Sequence, residues 1–180
     1  MQASSLYKSI YTYFGDTTPL TADCGKLCNK ACCGDCSTDD DDETGMYLFP
    51  GEKQLFLNHP NFKVVSSDFC YGKNNADIVI CKGPCERDSR PLSCRIFPLV
   101  PYYRKSSGLS IVRDPRAYAV CPLSAKEAYP YLNPAFIKKT ESVFRLLINF
   151  RQVRFFLEGL ADILDDYFQF EQKGGTLCDK

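Results

Sequence analysis

Residues 24–36 read CGKLCNKACCGDC and place five cysteines within thirteen positions. The whole chain has 180 residues, of which 11 are cysteine and only 1 is histidine. So dense a group of thiols predicts one of three chemistries: paired disulfides, a metal centre or a reactive thiol. Other features of the sequence distinguish among these three chemistries, and the chemistry in turn determines how the cysteine region folds.

The composition indicates a globular protein, because 44% of the residues are hydrophobic and 24% are charged. We predict a single domain over residues 1–180, with a cysteine-rich metal-binding region at 20–125 and helices at 133–173 packing on it. Lysine plus arginine equals aspartate plus glutamate at 22 each. This balance argues against a nucleic-acid partner, since binding to a polyanion requires a basic surface.

The first twenty residues lack the charged and apolar regions of a secretory signal, and no run of 18 apolar residues occurs. We therefore expect a cytoplasmic protein without a membrane partner. Cytosolic reductants keep thiols reduced, which favours a metal over disulfides. An odd number of cysteines also leaves one thiol over in any fully disulfide-bonded scheme.

The secondary-structure signals predict an α+β fold. We expect a small metal-stabilised cysteine-loop domain with short antiparallel strands and a C-terminal helical layer. Apolar spacing predicts an N-terminal helix, β-branched runs predict strands, and Asn133 followed by Pro134 predicts a helix start. The predicted elements are a helix at 3–14, strands at 62–66, 77–81 and 109–113, a helix from Pro134 and a last helix from about Arg151.

The cysteines form two groups with close spacing. A four-thiolate metal site needs ligands that converge from more than one loop, and two groups meet this need. Arg90 and Arg95 lie beside the second group, and we expect their charge to offset that of the thiolates. Cys70 and Cys178 have no cysteine neighbour and are expected to be small buried residues. The first group is Cys24, Cys28, Cys32, Cys33 and Cys36, the second is Cys81, Cys85 and Cys94, and Cys121 stands alone.

Residues 85–98, CERDSRPLSCRIFP, resemble the C-x8-C-R-x-F-P element of the zinc- or iron-chelating cysteine-cluster family, the CxxCxxCC or YkgJ-like proteins. Cys24, Cys28, Cys32 and Cys33 resemble that family's first cluster, although three residues rather than two separate the first cysteines. The resemblance covers about residues 20–125. It implies metal chelation, in one site or two, by eight candidate ligands: Cys24, Cys28, Cys32, Cys33, Cys81, Cys85, Cys94 and Cys121.

These observations lead to a hypothesis of function with two alternatives. The leading hypothesis is a metal-binding protein that chelates zinc or iron, the iron as a cluster such as [4Fe–4S], through clustered cysteine thiolates. The first alternative is a cluster-dependent or thiol redox enzyme, such as a protein-modifying oxidoreductase or methyl transferase. The second is metal storage or trafficking. The sequence leaves open whether Cys36 is a ligand.

Overall fold

A computed structural model of the chain describes residues 3–33, 45–82 and 86–172. It has α+β architecture with short antiparallel strands and C-terminal helices, as predicted. Within the described ranges, no helix has the length and apolar character needed to cross a membrane. The helices are α1 (Ala3–Phe14), α2 (Leu92–Ile96), α3 (Pro134–Leu147) and α4 (Arg151–Gln172). The strands are β1 (Met46–Tyr47), β2 (Phe62–Tyr71), β3 (Asn74–Cys81), β4 (Leu99–Arg104) and β5 (Gly108–Arg113).

The N-terminal helix α1 has the predicted bounds. Its buried residues are Leu6, Tyr7, Ile10 and Phe14, which recur at helical spacing along one face. Gly15 follows the helix with a φ of 50°, a left-handed conformation that glycine adopts without a steric cost. This geometry stops the helix and directs the chain towards the cysteines.

The strands form two separate antiparallel sheets. In the larger sheet β3 lies between β1 and β2, so that Val79 pairs with Met46 on one side and with Val64 on the other. Strands β4 and β5 form the second sheet, in which Val100 pairs with Val112. The three predicted strands are present as β2, β3 and β5, and the first two are longer than expected.

Strand β4 and helix α2 lie in a proline-rich stretch in which none of the predicted elements falls. Pro101 lies in the middle of β4, opposite Ile111 of β5. A proline has no N–H to donate, and a strand tolerates it where one edge of the strand is unpaired. The two-stranded sheet provides such an edge, so the prolines of this region do not exclude a strand.

The two C-terminal helices begin where predicted. The side chain of Asn133 accepts a hydrogen bond from the Ala135 amide at 3.0 Å, and Pro134 takes the first helical position. Residues Phe144 of α3 and Phe156 of α4 lie in the main hydrophobic core, where both pack edge-on or tilted against Phe49. The predicted end of the helical region, at residue 173, lies outside the described residues.

Helix α4 approaches β2 closely at Gly159. A Cβ atom built on this glycine would lie 2.9 Å from Cε2 of Phe69 and 3.2 Å from its Cζ. The Phe69 ring also packs against Tyr47 and Phe156 at centroid distances of 5.2 Å, so it has little room to move. Gly159 therefore sets how closely the helix and the sheet approach each other.

We predict that Gly159→Ala lowers the free energy of unfolding by about 1 kcal/mol. Alanine favours the helix by about 1 kcal/mol, but overpacking against Phe69 costs about 1–3 kcal/mol. Urea unfolding of the single variant and of the same change in a Phe69→Leu background measures the effect. The cost should disappear in the Leu background, and an equal cost in both backgrounds would contradict the assigned contact.

Candidate metal centre

The segment before the first cysteines is held by hydrogen bonds to α3 and to the residue that precedes it. The ammonium group of Lys139 donates to the Thr17 hydroxyl at 2.7 Å and to the Phe14 carbonyl at 3.1 Å. The Asn133 amide donates to the Pro19 carbonyl at 2.7 Å. These contacts place the cysteine loop beside the start of the C-terminal helices.

The loop that carries the first cysteines consists of two 3₁₀ turns, Cys24–Lys26 and Ala31–Cys33. The Asp23 carboxylate begins the first turn by accepting a hydrogen bond from the Gly25 amide. Between the turns, Asn29 and Lys30 have φ values of 48° and 58°. Two successive left-handed residues reverse the chain, and the Lys30 amide donates back to the Gly25 carbonyl at 2.9 Å.

Cys94 comes from the short helix α2, which a buried carboxylate holds. The Leu92 amide at the start of α2 donates to Oε1 of Glu52 at 2.6 Å. Oε2 of the same carboxylate accepts from the Phe49 amide at 3.0 Å, and the Tyr11 hydroxyl donates to Oε1. Glu52 is fully buried. The position of Cys94 thus depends on contacts with α1 and with the turn that follows β1.

Cys121 arrives from a third part of the chain. It is extended and buried, and Pro122 begins a 3₁₀ turn immediately after it. The Cys121 amide donates to the Ala117 carbonyl at 2.8 Å, and its carbonyl accepts from the Ser124 hydroxyl at 2.6 Å. The backbone on both sides of this thiol is therefore held in place.

Five thiols from these three segments line one cavity of about 60 Å³. We call this cavity the thiol pocket, and its cysteines are Cys24, Cys28, Cys32, Cys94 and Cys121. Three guanidinium groups, those of Arg87, Arg90 and Arg95, also line it. The remaining wall is apolar and consists of Pro19, Leu27, Phe97, Pro98, Pro122 and Leu123.

The three arginines of the pocket have different partners. Arg87 forms an ion pair with Asp23 at 3.4 Å. Arg90 donates to the Cys33 sulfur at 3.9 Å. Arg95 is buried, and its guanidinium donates to the carbonyls of Arg90 and Asp88 at 2.8 and 2.7 Å. Positive charge therefore lies close to the thiols.

The thiols of the pocket affect each other's protonation. A hydrogen bond with Cys33 raises the pKa of Cys32 well above its usual value, and the neighbouring Cys28 and Cys121 raise it further. Burial raises the pKa of Cys24 and of Cys121. Arg87 and Arg90 oppose this effect at Cys24. Without a bound cation, Cys24, Cys32 and Cys121 hold their protons at neutral pH.

The predicted ligands divide by position. Five of the eight line the thiol pocket; Cys33 contacts Arg90, and Cys81 ends β3. Cys85, Cys36 and Cys178 lie outside the described residues. Cys70 is exposed, so the expectation that it is buried was wrong; it pairs with Asn75 near the end of β2, beyond the irregularity that follows Ser66.

The thiols converge on one cavity without forming a coordination site in this conformation. Across residues 3–33, 45–82 and 86–172, no three His, Cys, Asp or Glu side chains are arranged so that they could hold a metal ion. Both predicted arginines, Arg90 and Arg95, line the pocket. Metal binding and the ligand set are therefore still predictions at this point.

Sequence reasoning missed three residues that shape the pocket. Arg87 lies in the stretch quoted for the family resemblance, between Cys85 and Cys94. Glu52 and Tyr11 lie 41 positions apart, and no local pattern links them. Glu52 follows a glycine in a turn, a position where a charged residue is ordinarily exposed.

Comparisons with known proteins find no matching family model, no similar curated protein and no similar solved structure.

The buried carboxyl of Glu52 predicts a pH dependence of stability. Burial raises its pKa from 4.5 to about 7. The hydrogen bonds from Tyr11, Leu92 and Phe49 and the charge of Arg95 act in the opposite direction and lower the pKa, but by less. Between these two values the unfolded chain has lost a proton that the folded protein keeps. The contribution of Glu52 to stability is therefore fully present below pH 4.5 and is lost as the pH rises through about 7.

We expect the free energy of unfolding of the wild type to fall relative to that of Glu52→Gln by about 3 kcal/mol between pH 4.5 and pH 7.5. The difference between the two proteins isolates this carboxyl, because the other titrating groups are common to both. Urea unfolding at a series of pH values measures it. A difference that is constant with pH, or that grows with pH, would contradict the assignment.

Proposed function

We propose that this protein binds a metal through cysteine thiolates, as zinc or as an iron–sulfur cluster, at the thiol pocket. The observation that carries the proposal is the convergence of five thiols from three segments on one cavity. Thiolates are the preferred ligands of zinc and of iron–sulfur clusters. Ligands from separate segments allow a tetrahedral arrangement that one short loop rarely achieves.

The charges around the pocket support an anionic centre. Four thiolates around a zinc ion, or around a [4Fe–4S] cluster, give a net negative charge. Arg87, Arg90 and Arg95 line the pocket and supply positive charge beside it. Nearby cations and hydrogen bonds to ligand sulfurs stabilise such centres and tune them.

Binding requires the thiols to lose their protons and to move closer together. Metal affinity should therefore increase with pH, because each raised thiol pKa opposes binding at low pH. The loop of 3₁₀ turns around Cys24, Cys28 and Cys32 is the part that has to adapt. The free energy of binding then contributes to the stability of this loop.

Five thiols line the pocket, whereas a tetrathiolate centre uses four. The proposal therefore places one metal centre at this cavity, with Cys94 of α2 as a ligand that the rest of the fold holds in position. Cys32 is exposed, and a thiol at the rim is the one that can remain outside the coordination sphere.

We predict that anaerobically purified protein contains zinc or iron, and that Cys94→Ser loses most of it. Elemental analysis and an absorption spectrum distinguish zinc from a thiolate-bound cluster. Complete removal of the metal from the wild type should lower the melting temperature by at least about 10 °C, because structural thiolate sites contribute roughly 10 kcal/mol to folding.

Cys70→Ser is the matched control, since Cys70 is a cysteine on β2 that does not line the pocket. It should keep the metal content and melting temperature of the wild type. Equal metal loss in both variants would argue against the pocket as the site. A wild type that binds neither zinc nor iron after reconstitution would overturn the proposal.

A further inference from the structure

Arg95 is held at the thiol pocket by an aromatic ring from another element. The centre of its guanidinium lies 4.3 Å from the centroid of the Tyr11 ring of α1. Its two described side-chain hydrogen bonds go to the main-chain carbonyls of Arg90 and Asp88. The ring therefore adds a third contact to the guanidinium, from a different element than the two carbonyls.

Tyr11 in turn is held by Glu52. Its hydroxyl donates to Oε1 of Glu52, the same oxygen that accepts from the Leu92 amide of α2. The carboxyl group of Glu52 thus contacts the Tyr11 hydroxyl, and the Tyr11 ring contacts the Arg95 guanidinium, which lines the pocket.

We propose that Tyr11 and Glu52 are positioning residues for the metal centre: they hold Arg95 where its charge stabilises the thiolates. This inference rests on the proposed function and adds residues that contribute no ligand to it. Glu52 also receives the amide at the start of α2, two positions before Cys94, so one carboxylate orients both a ligand and the adjacent cation.

The fold contains a second set of the same three groups, away from the pocket. The Tyr102 hydroxyl donates to Oδ1 of Asp165 at 3.0 Å, and Arg104 lies 5.8 Å from the Tyr102 ring. Tyr102 is partly buried against the main core, as is Tyr11, and it does not line the thiol pocket. Tyr102→Leu is therefore a matched control for Tyr11→Leu.

The experiment is a titration of the reduced, metal-free full chain with cobalt(II), which reports thiolate coordination by its charge-transfer absorption. We expect Tyr11→Leu to bind cobalt about threefold to tenfold more weakly than the wild type, and Tyr102→Leu to bind within twofold of it. Tyr11→Phe, which keeps the ring and removes the hydroxyl, should lie between the two. Circular dichroism confirms that each variant is folded.

An Arg95→Gln background separates positioning from general destabilisation. If Tyr11 acts through Arg95, Tyr11→Leu changes cobalt affinity in this background by less than twofold. If Tyr11→Leu weakens cobalt binding as much in the Arg95→Gln background as in the wild type, or if Tyr11→Leu and Tyr102→Leu weaken it equally, the inference is overturned. Neither result would contradict the proposed metal site. A wild type without thiolate–cobalt absorption would overturn both proposals. If Arg95→Gln does not fold, Arg95→Met, which also removes the charge, is the replacement background, and the same outcomes apply.

Discussion

The hydrogen bonds of the buried Glu52 carboxyl group are the interaction on which the arrangement of the cysteine region depends. The group accepts hydrogen bonds from the Tyr11 hydroxyl and from the amides of Phe49 and Leu92. A fully buried carboxyl group without such donors is destabilising, so α1, the turn after β1 and α2 have to assemble together. The contact lies beside the main core, whose apolar residues bring the three segments together without fixing their orientation.

This constraint divides the thiol pocket into a fixed part and an adaptable part. Cys94 lies on α2, and Cys121 lies between two backbone hydrogen bonds, so the surrounding fold holds both. Cys24 and Cys28 lie in a loop whose described hydrogen bonds are mostly local. Local contacts cost little to rearrange, whereas the contacts of Cys94 extend to α1. A ligand that enters the pocket would therefore move the loop towards Cys94 and Cys121.

Much of the fold could be predicted from periodicity, because helices α1, α3 and α4 each bury one continuous apolar stripe. The strand β4 could not be predicted, since its proline indicates a loop and only its pairing with β5 reveals a strand. At the site, the division of the cysteines into groups predicted that separate segments would converge. The roles of Glu52 and Tyr11 depend on a contact across 41 positions, which no local pattern contains.

The protonation of the thiols bears on which chemistry the pocket suits. A nucleophilic cysteine needs a lowered pKa, so that the thiolate is present at neutral pH. Burial instead raises the pKa of Cys24, and burial together with neighbouring thiols raises that of Cys121. Thiols that share a cavity repel each other once ionised, and a cation placed among them removes this repulsion. The same grouping that makes Cys24 and Cys121 poor nucleophiles would thus make the set a favourable ligand for a cation. The arginines that line the pocket would lessen the excess negative charge of such a centre.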